Sequence, residues 1–335
     1  MLHTLNFIDL FAGAGGLSEG FIRAGYTLLA HIEMDKYACY TLKTRAAFHY
    51  LKSKNELQKY KKYLYEKQEK EDGSKLWEQV SQEIIDSVIH EAIGEDTIDK
   101  IFAKIDKLKS EKQVDIIIGG PPCQAYSVAG RARMGKAVED DPRNELYKFY
   151  VKFLERYQPK MFVFENVLGI CTAKNGEPLK ALTRLVEKAG YKMELKVQTA
   201  SEHGVLQHRQ RVIIIGWKVK DENGNPTNYH YPDLKPEKIK ETFLNRFQVV
   251  APYNCSHTTV VAHIAMDGHY YIHPTLNPTI ENVRSITIRE AARLQSFPDD
   301  YYFEGSRSAA FKQIGNAVPV VLAEKIAKEI KKQFE

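Results

Sequence analysis

Phe7-Ile8-Asp9-Leu10-Phe11-Ala12-Gly13-Ala14-Gly15-Gly16 decides how the rest of the chain is read. Residues 5–12 are apolar around a single acid and alternate little, the texture of a strand buried on both faces of a parallel sheet. Gly13, Gly15 and Gly16 break that strand, and Leu17, Phe21 and Ile22 follow at helical spacing. Leu28 to Ile32 is a second apolar run, ending at Glu33 and Asp35, and Tyr37 to Phe48 has a helical pattern. Strand, glycine turn, helix and second strand together open a doubly wound α/β fold.

Further along, Val114–Ile118, Met161–Phe164 and Val212–Trp217 are apolar runs of strand length. Leu146–Leu154 and Leu179–Ala189 read as helices, the latter closed by Gly190. This alternation predicts a mostly parallel sheet of at least five strands. Two stretches interrupt it. From about 51 to 112, Lys, Glu, Gln and Tyr dominate, with apolar residues three and four apart; two or three amphipathic helices are expected, forming a solvated insertion. From 219 to 283, Pro226, Pro232, Pro236, Pro252, Pro274 and Pro278 punctuate short segments such as Val260–Ala265, which predicts a small, irregular, partly β domain. Thr287–Gln295 and Leu322–Lys332 read as helices. The expected organisation is therefore 1–218 for the main domain, 219–283 for the small one, and 284–335 for a return to the first.

A chain of 335 residues, 43% hydrophobic and 27% charged, is long enough for a large core. No apolar run approaches the ~20 residues that span a bilayer, and the run at Phe7–Phe11 lacks a basic leader. No membrane partner is expected, and a cytoplasmic location is. The four cysteines, Cys39, Cys123, Cys171 and Cys255, form no CxxC pair, which argues against a metal site and fits a reducing compartment. A net charge of +5 is compatible with a polyanionic partner and no stronger than that.

Four places carry chemistry. The glycines after the first strand suit a ligand approaching backbone at a helix N-terminus, although FxGxGG is not the dinucleotide spacing and a tight structural turn is the competing account. Glu33, at the end of the second strand, is placed to accept hydrogen bonds from ribose hydroxyls, so the pair favours an adenosine-containing ligand. Cys123 follows Gly119-Gly120-Pro121-Pro122 at a strand end, where the prolines stiffen the loop and fix where the thiol points. Glu165-Asn166 ends the next strand, as a helix cap or a catalytic acid. Gln207-His208-Arg209-Gln210-Arg211 precedes a strand with two alternate arginines, suited to a phosphate or a base carbonyl, or a solvated basic turn.

These residues converge. The stretch from Phe7 to Gly16 resembles the first signature of DNA cytosine-5 methyltransferases of bacterial restriction–modification type, and Gly120-Pro121-Pro122-Cys123-Gln124-Ala125-Tyr126-Ser127 resembles their nucleophile loop. Glu165-Asn166-Val167 is similar to their ENV triplet, and Gln207–Arg211 to their QxRxR element. Arg289–Pro298 and Gln313–Pro319 resemble the last two blocks. Six blocks in the family's order span nearly the whole chain.

The resemblance implies an S-adenosylmethionine-dependent methyltransferase fold and duplex DNA as substrate. It makes Cys123, Glu165, Arg209 and Arg211 catalytic, with Arg211 on the cytosine O2 side and Arg209 nearer the phosphate. It puts Phe11, Gly13, Gly15, Glu33, Met34, Pro122, Leu146, Asn316 and Val318 around S-adenosylmethionine, and Gln124, Ser127, Asn166, Gln207 and Thr259 on the DNA. It also implies a bacterial enzyme, a monomer, with a cognate restriction endonuclease acting separately. Two features depart from the family. The Gly-Asp-Ile element whose Asp meets the adenine amine is replaced by the long helical stretch, leaving Asp106 as the candidate. The recognition region is short, so either the target is short or the insertion shares the DNA contacts. Transfer RNA as substrate, or a catalytically silent DNA-binding relative, are the alternatives; the Cys-Phe-Thr element of the RNA enzymes is absent.

Overall fold

The computed structural model describes residues 4–67, 73–122, 145–237, 257–258 and 284–335. The opening unit forms as its sequence dictates. β1 (Asn6–Leu10) is buried along its whole length, and Gly15 leads into α1 (Gly16–Arg23). β2 (Thr27–Glu33) pairs parallel with β1, bringing Asp9 opposite His31. Asp35 then caps α2 (Lys36–Ser53), its carboxylate accepting from the backbone N–H groups of Tyr37 and Ala38. Beyond it lie α3 (Leu57–Glu66), the short helical turns Ser74–Trp77 and Gln82–Asp86, β3 (Val88–His90) and α4 (Ile98–Lys109). β4 (Ile116–Gly119), α5 (Leu146–Tyr157), β5 (Met161–Asn166), α6 (Glu177–Lys188) and β6 (Tyr191–Thr199) follow. The chain continues through β7 (Gln207–His208), β8 (Gln210–Lys218), β9 (His257–Thr258), α7 (Ile288–Leu294), α8 (Arg307–Asn316) and α9 (Val320–Lys331).

Seven strands form one sheet in the order β3-β2-β1-β4-β5-β8-β6, and β7 pairs separately with β9. The order reverses between β1 and β4, the switch point at which such sheets open a crevice at their carboxyl edge. Alternate residues of each strand serve opposite faces. Phe7, Ile116, Ile118, Met161 and Val163 pack with Leu17 and Phe21 of α1 and Leu322, Ala323 and Ile326 of α9. Ile8, Ile117, Phe162 and Phe164 pack with Ile101 and Ile105 of α4, Tyr150 of α5 and Leu182 and Val186 of α6. The α/β class, with a mostly parallel sheet wound on both faces, is as expected.

Three sequence expectations are corrected. Val212–Trp217 is not a further parallel strand: β8 runs antiparallel to both β5 and β6, a distinction invisible in an apolar run that reads alike in either direction. β6 was not foreseen, because only its ends are buried and it lies at the sheet's edge. The stretch 51–112 is not one helical insertion, since Gln82–Lys109 supplies a helical turn, β3 and α4, the regular third unit of the sheet. A three-residue buried strand is too short for periodicity to separate from a helix. Of the expected insertion, the described parts outside the regular sheet units are 54–67 and 73–81. In addition, Tyr231 and Leu234 join the core cluster that contains Leu322, Ala323 and Ile326 of α9.

Candidate active site

At the carboxyl end of β1 the chain turns through Phe11, Gly13 and Gly15, with φ of 55°, 55° and 77°. A Cβ on Gly13 would meet nothing within 4 Å, so open space adjoins the turn. From β2, Glu33 reaches back: Oε2 accepts from the Gly13 N–H at 2.7 Å, and Oε1 from the N–H groups of Met34 (2.9 Å) and Asp35 (2.8 Å). Burial pushes its carboxyl above the ordinary glutamate range, opposed by these backbone donors. Three N–H groups leave part of the carboxylate's acceptor capacity free, as binding a hydroxyl requires. Met34 is 63% exposed, a large apolar side chain open to solvent. On the third side the α8–α9 link approaches, with Asn316 exposed, Val318 buried, and the Val318 carbonyl so close to Gly16 that a Cβ there would lie 2.3 Å from it. An open glycine turn, a half-buried carboxylate and an uncovered thioether suit an adenosine-containing ligand.

Across the switch point, β4 and β5 end side by side. A Cβ on Gly120 would sit 2.6 Å from Glu165 Oε2 and 2.9 Å from the Glu165 carbonyl, so only glycine lets this loop pass the acid. Glu165 is gripped from β8, where Arg211 Nε lies 2.9 Å from Oε1, both side chains mostly buried. Pro121 and Pro122 follow Gly120, and Cys123, Gln124 and Ser127 lie outside the described residues, as does Thr259. Of the cysteines that are described, Cys39 is buried, donates to the Glu33 carbonyl at 3.3 Å, and has its thiol pushed up to about 12 by burial and by Glu33. Cys171 is also raised by burial. Neither is set up as a thiolate. Leu146, half-buried, starts α5.

Three site expectations change. Arg209 and Arg211 part company: Arg209 is fully buried, and its Nη2 donates to the Gly315 carbonyl (3.0 Å) beside Asn316. Asn166 and Gln207, expected on DNA, are buried as well. Asn166 Nδ2 donates to the Pro121 carbonyl (3.3 Å), and Gln207 Nε2 donates to Leu294 O and Gln295 Oε1 (both 2.9 Å). They shape the site by holding its loops. Asp106 stands in the last turn of α4, whose chain next enters β4 from its amino end, and it pairs with Arg156 in the last turn of α5. That is the edge opposite the crevice. An acid at the carboxyl edge is Glu91, just past β3, whose N–H donates to the Glu33 carbonyl (3.0 Å) and whose carboxylate is held by Lys100 and Lys104. Asp106→Asn is expected to leave S-adenosylhomocysteine affinity, measured by calorimetry, within twofold of wild type (about 0.4 kcal/mol), and to cost about 1 kcal/mol of stability or less.

Comparison with known proteins supplies the family. The profile of the C-5 cytosine-specific DNA methylase family matches residues 5–73, 85–270 and 249–332. A type II methyltransferase of Bacillus paralicheniformis, M.Bpa9945I, is 32% identical over 450 residues, covering 97% of this chain and 98% of its own. The Haemophilus parahaemolyticus enzyme M1.HphI is 31% identical, covering 98% and 87%. Among solved structures, a prophage-encoded DNA modification methyltransferase of E. coli superposes with a TM-score of 0.61 at 23% identity, covering 99% of each chain. Spodoptera frugiperda DNMT2 does so with 0.56 at 16%, covering 99% of this chain and 100% of its own. At these identities the two structures speak for the fold alone.

Proposed function

This chain belongs to the C-5 cytosine-specific DNA methylase family and is a DNA cytosine-5 methyltransferase, and from that premise we propose a methyl transfer from S-adenosylmethionine to C5 of a cytosine flipped out of duplex DNA, through a transient Cys123–C6 bond. One observation carries the reading. The Glu165–Arg211 pair stands beside Gly120-Pro121-Pro122, one residue short of Cys123, across the sheet's switch point from the turn that Glu33 anchors.

Phe11, Gly13, Gly15, Glu33, Met34, Pro122, Leu146, Asn316 and Val318 are the residues that would hold S-adenosylmethionine, with Glu33 on the ribose and Met34 against the adenine. When bound, it supplies an electrophilic methyl group. Cytosine C5 is a poor nucleophile, so the protein must first raise its electron density. The Cys123 thiolate adds to C6, and negative charge spreads over C5 and N3. A protonated Glu165 meets that charge by donating its proton to N3 and accepting from the exocyclic amine with its other oxygen, and Arg211 holds Glu165 and faces O2. Once C5 carries the methyl group, loss of the C5 proton and departure of Cys123 restore the ring. A base inside a duplex cannot reach a buried strand end, so the cytosine must leave the stack. Gln124, Ser127 and Thr259 would contact the DNA, and residues 219–283 would read its sequence. The enzyme is read as a monomer acting in the bacterial cytoplasm, with a cognate endonuclease acting separately.

With methyl-tritiated S-adenosylmethionine, a duplex oligonucleotide library and total transfer RNA, label is expected in DNA alone, recovered as 5-methylcytosine. Label in transfer RNA, or on the exocyclic amine, would overturn the proposal.

A further inference from the structure

The described parts of the expected insertion, 54–67 and 73–81, carry no motif, yet α3 and Lys67 are tied to one particular loop. Tyr60 and Tyr63, on the inner face of α3, are 2% and 6% exposed. Both hydroxyls reach the loop between α7 and α8: Tyr60 donates to the Asp300 carbonyl (2.8 Å) and Tyr63 to Glu304 Oε1 (2.8 Å). Lys67 places its buried ammonium on Glu304 Oε2 and over the ring of Tyr302, 4.5 Å from its centroid. Glu304 is fully buried, and its other side-chain donor is Thr44 of α2 (2.6 Å). A carboxylate in such a place is tolerated only when its oxygens are met by donors and charge, and the insertion supplies two of these three partners, including the only cation among them.

The far side of the same loop holds the glycine turn. Tyr301 is fully buried, packed against Phe297 and Phe303, and its hydroxyl donates to the Ala14 carbonyl, between Gly13 and Gly15. A Cβ on Gly15 would come within 2.9 Å of that hydroxyl. Arg45 closes the circuit from α2, pairing with Glu19 of α1 at 2.6 Å and with Asp300 at 2.9 Å. One short loop is thus gripped by the insertion and in turn grips the turn.

We infer that the insertion is a positioning element for the cofactor turn: Tyr60, Tyr63 and Lys67 hold loop 300–304 so that Tyr301 keeps Ala14, and with it Gly13 and Gly15, in the conformation that receives S-adenosylmethionine. The inference rests on the reading of that turn as the cofactor's. It assigns the insertion a role without DNA contact.

The test uses the full chain. In Lys67→Met and Tyr63→Phe, the dissociation constant for S-adenosylhomocysteine, measured by calorimetry without DNA, rises about five- to twentyfold. KM for S-adenosylmethionine rises in step, while kcat at saturating cofactor and affinity for duplex DNA stay at wild-type values. Lys67→Arg restores binding. Tyr301→Phe gives the same defect, and combined with Tyr63→Phe it adds less than the product of the two. Should Lys67→Met fail to fold, Tyr60→Phe removes a single neutral hydrogen bond from the same loop and is read in the same way. Unchanged S-adenosylhomocysteine affinity with a lowered Tm would make the insertion merely structural. Weakened DNA binding with unchanged S-adenosylhomocysteine affinity would make it a DNA contact. Either result overturns the inference. A wild-type chain that binds no S-adenosylhomocysteine overturns the cofactor reading itself, and this coupling with it.

Discussion

Cys123→Ser is expected to lower turnover on duplex DNA by about 10⁴-fold or more, the scale on which loss of a catalytic nucleophile is felt. A serine hydroxyl keeps the shape but is hardly ionised near neutral pH, and it adds far more weakly to an electron-poor ring carbon than a thiolate does. The other described thiols offer no substitute, because Cys39 and Cys171 are both held as neutral thiols by burial. Single-turnover methylation of a duplex substrate measures the loss. A second measurement asks for the bond itself: on DNA containing 5-fluorocytosine the C5 position has no proton to lose, so wild-type enzyme and DNA should remain joined in a denaturing gel, and Cys123→Ser should not. Retention of turnover within tenfold of wild type would end the assignment.

Glu165→Gln should reduce kcat by about 10²–10⁴-fold, the usual contribution of a positioned proton donor or acceptor. The amide preserves shape and most hydrogen bonds but can neither carry the charge that Arg211 pairs with nor deliver a proton to N3. S-adenosylhomocysteine affinity should stay unchanged, since Glu165 stands across the switch point from the glycine turn. Arg211→Ala should act in the same direction, because it leaves Glu165, 13% exposed, without the guanidinium 2.9 Å away. The two should not add: once either partner is gone, the other no longer works as half of a pair. A double variant losing the product of the two single effects would show that each touches the base independently.

Both predictions concern residues legible in the sequence, and the reason is local. A nucleophile in a stiff loop, an acid at a strand end and a glycine turn after a strand are each coded by a few consecutive residues. Asp106 shows where that stops. Its choice depended on which strand end lies next to β2, and the three-residue strand β3, which brings Glu91 beside Glu33, leaves no distinct pattern. Arg209 is a second case. On an extended segment it should have matched Arg211, but the break between β7 and β8 turns it inward to Gly315.

The sequence by itself determined the α/β class, the glycine turn with its acid, and the order of the blocks along the chain, because each depends on residues close together or on an apolar period the chain displays directly. Only the tertiary structure decided that β8 runs backwards, that Gln82–Lys109 belongs to the sheet, and that Tyr301 meets Ala14 from 287 residues away. Contacts of that separation leave no periodic trace. They exist because packing brings distant segments together and then obliges each buried polar group to find a partner. The opening stretch from Phe7 to Gly16 therefore announced the fold, while the loop that holds it in shape became visible only once the chain had closed around it.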